Sequence, residues 1–595
     1  MKDFFKMVFA TVVGILLFGI IMGLIGMMCL VGMVASGSSV KSVDKNSVMV
    51  LNLSGALDER SSENVFNQVM GFSSGSSQIS LEDALNAIRK AKDNKDIKGI
   101  YIEAGMFGYD SYASLKAIRR ALEDFRKSGK WIIAYGDTYT QGAYYLASVA
   151  DKVYINPEGQ VDWHGLAAEP MFFKDLMAKF GVKMELAKVG TYKSAPEMFT
   201  EDHMSEANRE QVSAYINGIW ENILKDVSAS RKISIDSLNA YADDLITFSD
   251  TKTLMAKKMV DGVLYTDEVK GVVKKQLNIK EDDDINQLTL FDMTTVKDAK
   301  GDEGEEIAVY YAYGDIVDGN GQSLMSQGHL IDAQVVCKDL DKLANDDNVK
   351  AVVLRVNSGG GSAYASEQIW RSMELLKKKK PVVVSMGGMA ASGGYYISCG
   401  SQWIVSEPVT LTGSIGIFGM FPDVSGLLKD KLGVKFDEVK TNKHSNMGTM
   451  ARPLSDEEKS YLNTYIDRGY KLFRQRVADG RKLPVEEVEK VAQGRVWLGQ
   501  DAIKHKLVDQ LGSLDDAVAK AAQLAKLDKY HTEAYPGMPS FFEQLMAGTS
   551  NATGSYLDET MQAALGELYG PVMLLRDLNN QNAIQARLPI VMNIR

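Results

Sequence analysis

The stretch Ser392-Gly-Gly-Tyr395-Tyr396-Ile-Ser repeats Gln141-Gly-Ala-Tyr144-Tyr145-Leu-Ala, found 251 residues earlier. Gly393 aligns with Gly142, both tyrosine pairs coincide, and Glu407-Pro408 closes the later copy where Asn156-Pro157 closes the earlier one. Self-similarity at a fixed offset marks a duplicated unit. The copies differ where a nucleophile would sit, with a hydroxyl at Ser392 and only an amide at Gln141. Chemistry therefore falls to the later copy and support to the earlier one, and replacing Gln141 is expected to leave activity intact.

The match extends outward from this motif. Ser47 to Leu53, ending at Gly55, has strand composition and corresponds to Ile307 to Tyr313, ending at Gly314. Helical Leu81 to Ala91 and strand Ile97 to Glu103 correspond to Asp332 to Leu343 and Val349 to Val356. The short apolar runs Trp131 to Tyr135 and Val382 to Ser385 each feed a small-residue turn and a helix that starts at the motif. Beyond it come amphipathic Ser205 to Lys225 and Asp456 to Val477, then matching tails Phe248 to Val269 and Trp497 to Val518. Strands alternating with helices at this spacing predict an α/β fold of two tandem repeats with parallel sheets and crossover helices.

The expected organisation is an anchor and connector over 1–46, a first repeat over 47–279, a charged linker over 280–305, a second repeat over 306–535 and a helical appendage over 536–595. The acidic clusters of the linker, Glu281 to Asp284 and Asp302 to Glu303, read as solvated chain and not as a metal site. A chain of 595 residues exceeds one compact core, and its net charge of −10 is spread along its length, which disfavours a nucleic-acid partner. The three cysteines, Cys29, Cys337 and Cys399, imply no disulfide framework. Val8 to Val34 is 27 residues without a charge. A membrane-crossing helix needs about 20 apolar residues, whereas a cleavable signal has an apolar core of roughly 7 to 15, so a retained single-pass anchor is expected. The alternative is a long signal cut near Ala35. Lys2 and Lys6 on one side nearly balance Lys41 and Lys45 on the other, so charge does not orient the span.

Ser392 lies where a strand ends and a helix begins. A hydroxyl there sits in the positive field of a helix N-terminus, and the amide of Gly393 can meet an oxyanion. The competing reading is an ordinary serine N-cap. A second glycine cluster, Asn357-Ser-Gly-Gly-Gly361-Ser362, follows the neighbouring strand, so amides of Gly360 or Gly361 could converge with that of Gly393, unless the triplet is simply a flexible loop. A serine needs a base. The six histidines show no obvious pairing with an acidic partner and none lies in a repeated motif. Lys193, in Val189-Gly-Thr-Tyr-Lys193-Ser-Ala, is the better candidate, because Ser445 stands at the equivalent register of the second half. Each half would then keep one member of a composite site, although Lys443 is close enough to Ser445 for a gap to restore a lysine. To act as a base Lys193 must lose its charge, which burial without a neighbouring carboxylate achieves. Ser414 is a candidate to orient the amine, or a turn cap, and Cys399 reads as packing.

At these residues the chain resembles the long form of signal peptide peptidase A, the protease IV family. The motifs carrying the resemblance are Gly190-Thr-Tyr-Lys-Ser-Ala195, Met386 to Tyr395 and Thr410 to Gly419, found in that order. One departure is Gly359, which stands where the family has proline in an Asn-Ser-Pro-Gly-Gly turn. The resemblance implies tandem ClpP/crotonase-like repeats and a dyad of Ser392 as nucleophile and Lys193 as general base. It further implies Ser414 as the group that orients the lysine, and no metal or organic cofactor. It also implies a homotetramer anchored in the bacterial cytoplasmic membrane, with its catalytic part on the outer side, that degrades residual signal peptides. Two other classes compete: an acyl-CoA enzyme of the same superfamily, and a membrane scaffold with a dead site.

Overall fold

The computed structural model describes residues 41–60, 78–298, 301, 303–319, 329–537 and 584–587, with scattered positions between 6 and 22. Most of Val8 to Val34 and of the expected appendage lie outside the described residues. Among the described residues no helix is long and apolar enough to cross a membrane.

The duplication is a duplication of sheets. In the first half, Ser47–Asp58, Ile97–Gly108, Trp131–Tyr139, Lys152–Val161 and Gly262–Val263 lie side by side in chain order, every pair parallel. In the second half Glu305–Tyr313, Val349–Ser358, Val382–Ala391, Trp403–Ser406 and Gln510–Leu511 do the same. Val382 to Met386 is buried without interruption, the pattern of a parallel strand covered on both faces. The long amphipathic helices also match. Glu206–Arg231 is capped by Ser205 and closed by left-handed Lys232, and Asp456–Arg481 by Ser455 and left-handed Lys482. Their buried positions, Val212, Tyr215, Ile219, Ile223 and Val227 in one and Leu462, Ile466, Tyr470, Phe473 and Val477 in the other, recur every three or four residues, placing one apolar face on each core.

The halves are fused. The core of the first half takes in Ala391, Val409, Leu411, Val496 and Leu498 of the second. A separate sheet runs in the order Leu330–Asp332, Asp315–Val317, Gly360–Ser362, Ile584–Arg587, Phe418–Asp423, Lys183–Lys188, so its edge strand comes from the first half. Two ion pairs cross the same seam, Arg355–Glu59 fully buried and Arg120–Glu407 buried only at its carboxylate. Arg120 grips Glu407 through both guanidinium ends at 2.8 and 2.6 Å, and Arg355 Nε lies 2.6 Å from Glu59 Oε1.

Two expectations need correcting. The segment 280–305 is not all solvated chain: Gln287–Leu288 adds a strand beside Ser47–Asp58, and the helix Leu290–Thr295 buries Met293 while Lys90 Nζ donates to the carbonyls of Met293, Thr294 and Val296. Apolar Leu288, Met293 and Val296, hidden in a charge-rich stretch, explain the docking. In the expected helical appendage, the four described residues Ile584–Arg587 form a strand.

Candidate active site

The nucleophile strand ends at Ala391 and the helix Gly393–Ser398 begins two residues on. Ser392 makes the corner with φ 54° and ψ −114°, and its side chain makes no capping hydrogen bond, so it is not an ordinary N-cap. Such a conformation costs a non-glycine residue on the order of 1–3 kcal/mol and persists only where surrounding contacts impose it. Here the Ser392 amide donates to Gly413 O at 2.8 Å, and Thr412 Oγ1 donates to Ala390 O at 2.7 Å. In the first half Thr140 caps the corresponding helix at φ −62°, and Gln141 is an unstrained first helical residue.

Lys193 arrives from the other half. Its Nζ lies 2.6 Å from Ser392 Oγ, 3.1 Å from Ser414 Oγ and 3.2 Å from Ser414 O. Ser392, Lys193 and Ser414 are all 1% exposed or less. Burial drives the Lys193 amine well below the ordinary lysine range. Ser414 shares the positive φ of Ser392, at 50°, and is fixed by its amide donating to Arg495 O at 2.7 Å.

The lysine loop is held by residues that no motif had singled out. Gly494, at φ +81°, lies so close that a Cβ would sit 2.6 Å from the Lys193 nitrogen, and Gly190, at φ +107°, packs equally tightly on the Gln493 carbonyl. The Tyr192 amide donates to Gln493 O at 2.9 Å. Gln211 bridges the two halves: its amide nitrogen donates to Tyr192 O and Ser194 Oγ, and its oxygen accepts from the Val496 amide. The only trace of Gln211 in sequence is a polar residue on the inner face of an amphipathic helix.

The glycine turn lies beside the nucleophile because Val349–Ser358 pairs with Val382–Ala391, Ser358 opposite Ala390. The Gly360 amide donates to Ser358 Oγ at 3.1 Å, which corrects its place among the free oxyanion donors. Gly361 continues into the strand, and Gly393 belongs to the first helical turn, whose amides have no intrahelical acceptor. Asn357 secures the turn, accepting from the Met389 amide and donating to Glu59 and Asp110 of the first half. Glu59 and Arg355, unremarked in the sequence, thereby connect the seam to this loop.

Other candidates lie elsewhere. Ser445 and Lys443 sit in an exposed loop, Ser445 Oγ donating to Asn442 O and Lys443 pairing with Glu457, so no second dyad forms there. Four histidines do face carboxylates, contrary to expectation: His164 with Asp162, His203 with Asp202, His329 with Asp58, and His444 with Glu457 and Glu458. Only Asp58 is distant in sequence from its histidine, the other acids being near neighbours among many such acids, and none of the pairs includes Ser392. Cys399 is fully buried, its thiol pushed up to about 12 by burial, consistent with packing. Among the described residues no cluster of His, Cys, Asp and Glu could hold a metal ion.

Comparison with known proteins gives the class. Residues 304–404 match the Clp protease family, and residues 124–280 and 374–528, one block in each half, match peptidase family S49. Protease 4 of Salmonella typhi is 40% identical over 89% of this chain and 87% of its own. Protease 4 of Haemophilus influenzae is 37% identical over 82% and 81% of the two chains. The chloroplastic serine protease SPPA of Arabidopsis thaliana is 30% identical over 88% and 76%. The protein is a serine protease with a duplicated α/β fold. More particularly, the chain belongs to peptidase family S49, and the resemblance to long-form signal peptide peptidase A read from three motifs is borne out by relatives matched over most of their length.

Proposed function

We propose that peptide cleavage is carried out by a Ser392/Lys193 dyad assembled across the two halves. The observation that carries this reading is the 2.6 Å contact between Lys193 Nζ and Ser392 Oγ in a fully buried site. With its charge suppressed by burial, the amine takes the Ser392 proton as the oxygen attacks the scissile carbonyl. Ser414 orients the amine from its Oγ and its carbonyl. The amides of Gly393 and Gly361 stabilise the tetrahedral oxyanion, and the lysine returns the proton to the leaving amine. Water activated by the same neutral amine then hydrolyses the acyl-enzyme. The scheme uses no metal or organic cofactor.

In this reading residues 47–279 supply the base and 306–535 the nucleophile, both repeats being of the ClpP/crotonase-like kind. Val8 to Val34 anchors the chain in the bacterial cytoplasmic membrane with the catalytic part on the periplasmic side, where a homotetramer degrades residual signal peptides. The uncharged length of that run and the family resemblance support this placement. The test is covalent labelling by a fluorophosphonate: the wild type is labelled at Ser392, Ser392→Ala is not, and equal labelling of both refutes the assignment.

A further inference from the structure

Gln211 is buried on the inner face of the helix Glu206–Arg231, and the two ends of its side-chain amide hold different halves of the protein. Its nitrogen lies 3.1 Å from Tyr192 O and 3.0 Å from Ser194 Oγ, the residues on either side of Lys193. Its oxygen accepts from the Val496 amide at 3.1 Å. Val496 stands opposite Gly413 in an antiparallel pair. Gly413 O accepts from the Ser392 amide, and Arg495 O, next to Val496, accepts from the Ser414 amide. One amide group therefore fastens the loop that carries the amine to the strand pair that holds both hydroxyls.

The orientation of that amide is set from both ends. The Val496 N–H can only donate, so it selects the oxygen of Gln211. On the other side Glu197 accepts from the Asn208 amide nitrogen at 3.0 Å, which leaves Asn208 Oδ1 to accept from Gln211 Nε2 at 3.2 Å. Among side chains of this length, only glutamine donates and accepts without carrying a charge. A carboxylate in its place would favour the protonated form of an amine that has to be neutral.

We propose that Gln211 is a positioning residue for the reaction: by clamping the residues on both sides of Lys193 to the start of the strand Val496–Leu498, it sets the reach of the amine to Ser392. This rests on the reading of Ser392 and Lys193 as the dyad. Gln211 touches neither of the reacting atoms and acts through Lys193 alone. Misplacing a reactive group by about 1 Å lowers a rate by on the order of 10²-fold, so a lost clamp appears in kcat and leaves substrate binding as it was.

The experiment measures the rate of Ser392 labelling by a fluorophosphonate, and kcat and KM for peptide hydrolysis, in the full chain. Gln211→Met keeps the length of the side chain and removes its hydrogen bonds. It is expected to lower kcat and the labelling rate by on the order of 10²-fold with KM unchanged. In a chain that already carries Lys193→Ala, adding Gln211→Met is expected to slow labelling no further, because the group it positions is gone. Ser194→Ala removes one partner of the clamp at little risk to the fold, and is expected to show the same pattern at about tenfold. Asn222→Leu is the control: Asn222 lies on the same helix and donates across the seam to Gln500 at 2.9 Å, away from the lysine loop, and its loss is expected to leave kcat unchanged. An unchanged kcat in Gln211→Met or Ser194→Ala, a raised KM, an equal further loss in the Lys193→Ala chain, or an equal loss in Asn222→Leu overturns the proposal. Failure of the dyad reading looks different: Lys193→Ala is then labelled at the wild-type rate, whereas failure of the clamp alone leaves Lys193→Ala slow and Gln211→Met fast.

Discussion

Gln141 holds in the first half the place that Ser392 holds in the second, and it fills that place with hydrogen bonds. Its amide nitrogen donates to Tyr112 Oη and Gly165 O at 3.0 Å each, and its oxygen accepts from the amides of His164 and Gly165. Gln141 is a structural plug at this position. Gln141→Ala strands these buried partners and is expected to cost roughly 1–3 kcal/mol, seen as a lower melting temperature, while kcat/KM per folded molecule stays at the wild-type value.

Under the proposed dyad, replacing either member is expected to remove the chemistry and not the fold. Lys193→Ala and Ser392→Ala are each expected to lower kcat by on the order of 10³-fold or more, with circular dichroism unchanged. Ser414→Ala keeps the dyad but loosens the amine, and is expected to lower kcat by about tenfold, with KM unaffected.

The burial that depresses the Lys193 amine has a signature in stability. Its amine is depressed in the folded chain and ordinary in the unfolded one, so below the ordinary lysine value the unfolded state binds the extra proton. Stability then rises with pH between the depressed value and about 10.4, and the penalty is fully present at lower pH. Lys193→Met, which keeps the apolar stem, is expected to raise the urea midpoint at neutral pH, the gain shrinking as pH approaches 10.

Gly359 has no positive φ, unlike Gly360 and Gly361, and the residue before it ends a strand. Both conditions suit proline, which the related family has at this position. Gly359→Pro is expected to stabilise the protein by about 0.4–1 kcal/mol through the unfolded chain, with cleavage unimpaired. Loss of activity would show that the turn needs its freedom.

Glu59→Ala leaves the Arg355 guanidinium buried without its partner and releases Asn357 from the first half. The expected cost is about 3–5 kcal/mol by denaturant titration. Replacing both members by methionine restores most of it.

Periodicity and the repeated motif made the two parallel sheets legible, because each strand and its copy carry the same apolar run between the same turns. Ser392, Lys193 and Ser414 stood out because local motifs contain them. The contacts that set them in place did not stand out, since Gly494, Gln211 and Glu59 act across several hundred residues of chain or through a single positive φ, and neither leaves a local pattern. The register linking Lys193 to Ser445 failed for a related reason: the loop at 434–452 is exposed and has no counterpart of the strand that delivers Lys193. The strand Ile584–Arg587 was invisible because four residues show no period.

The central claim is that an uncharged Lys193 in one half activates Ser392 in the other. The most direct measurement is the rate of Ser392 phosphonylation by a fluorophosphonate as a function of pH, in wild type and in Lys193→Ala. The wild type is predicted to gain reactivity along a single limb centred well below the ordinary lysine value, and Lys193→Ala to be slow and without that limb. Equal rates and identical pH profiles in the two proteins would contradict the account.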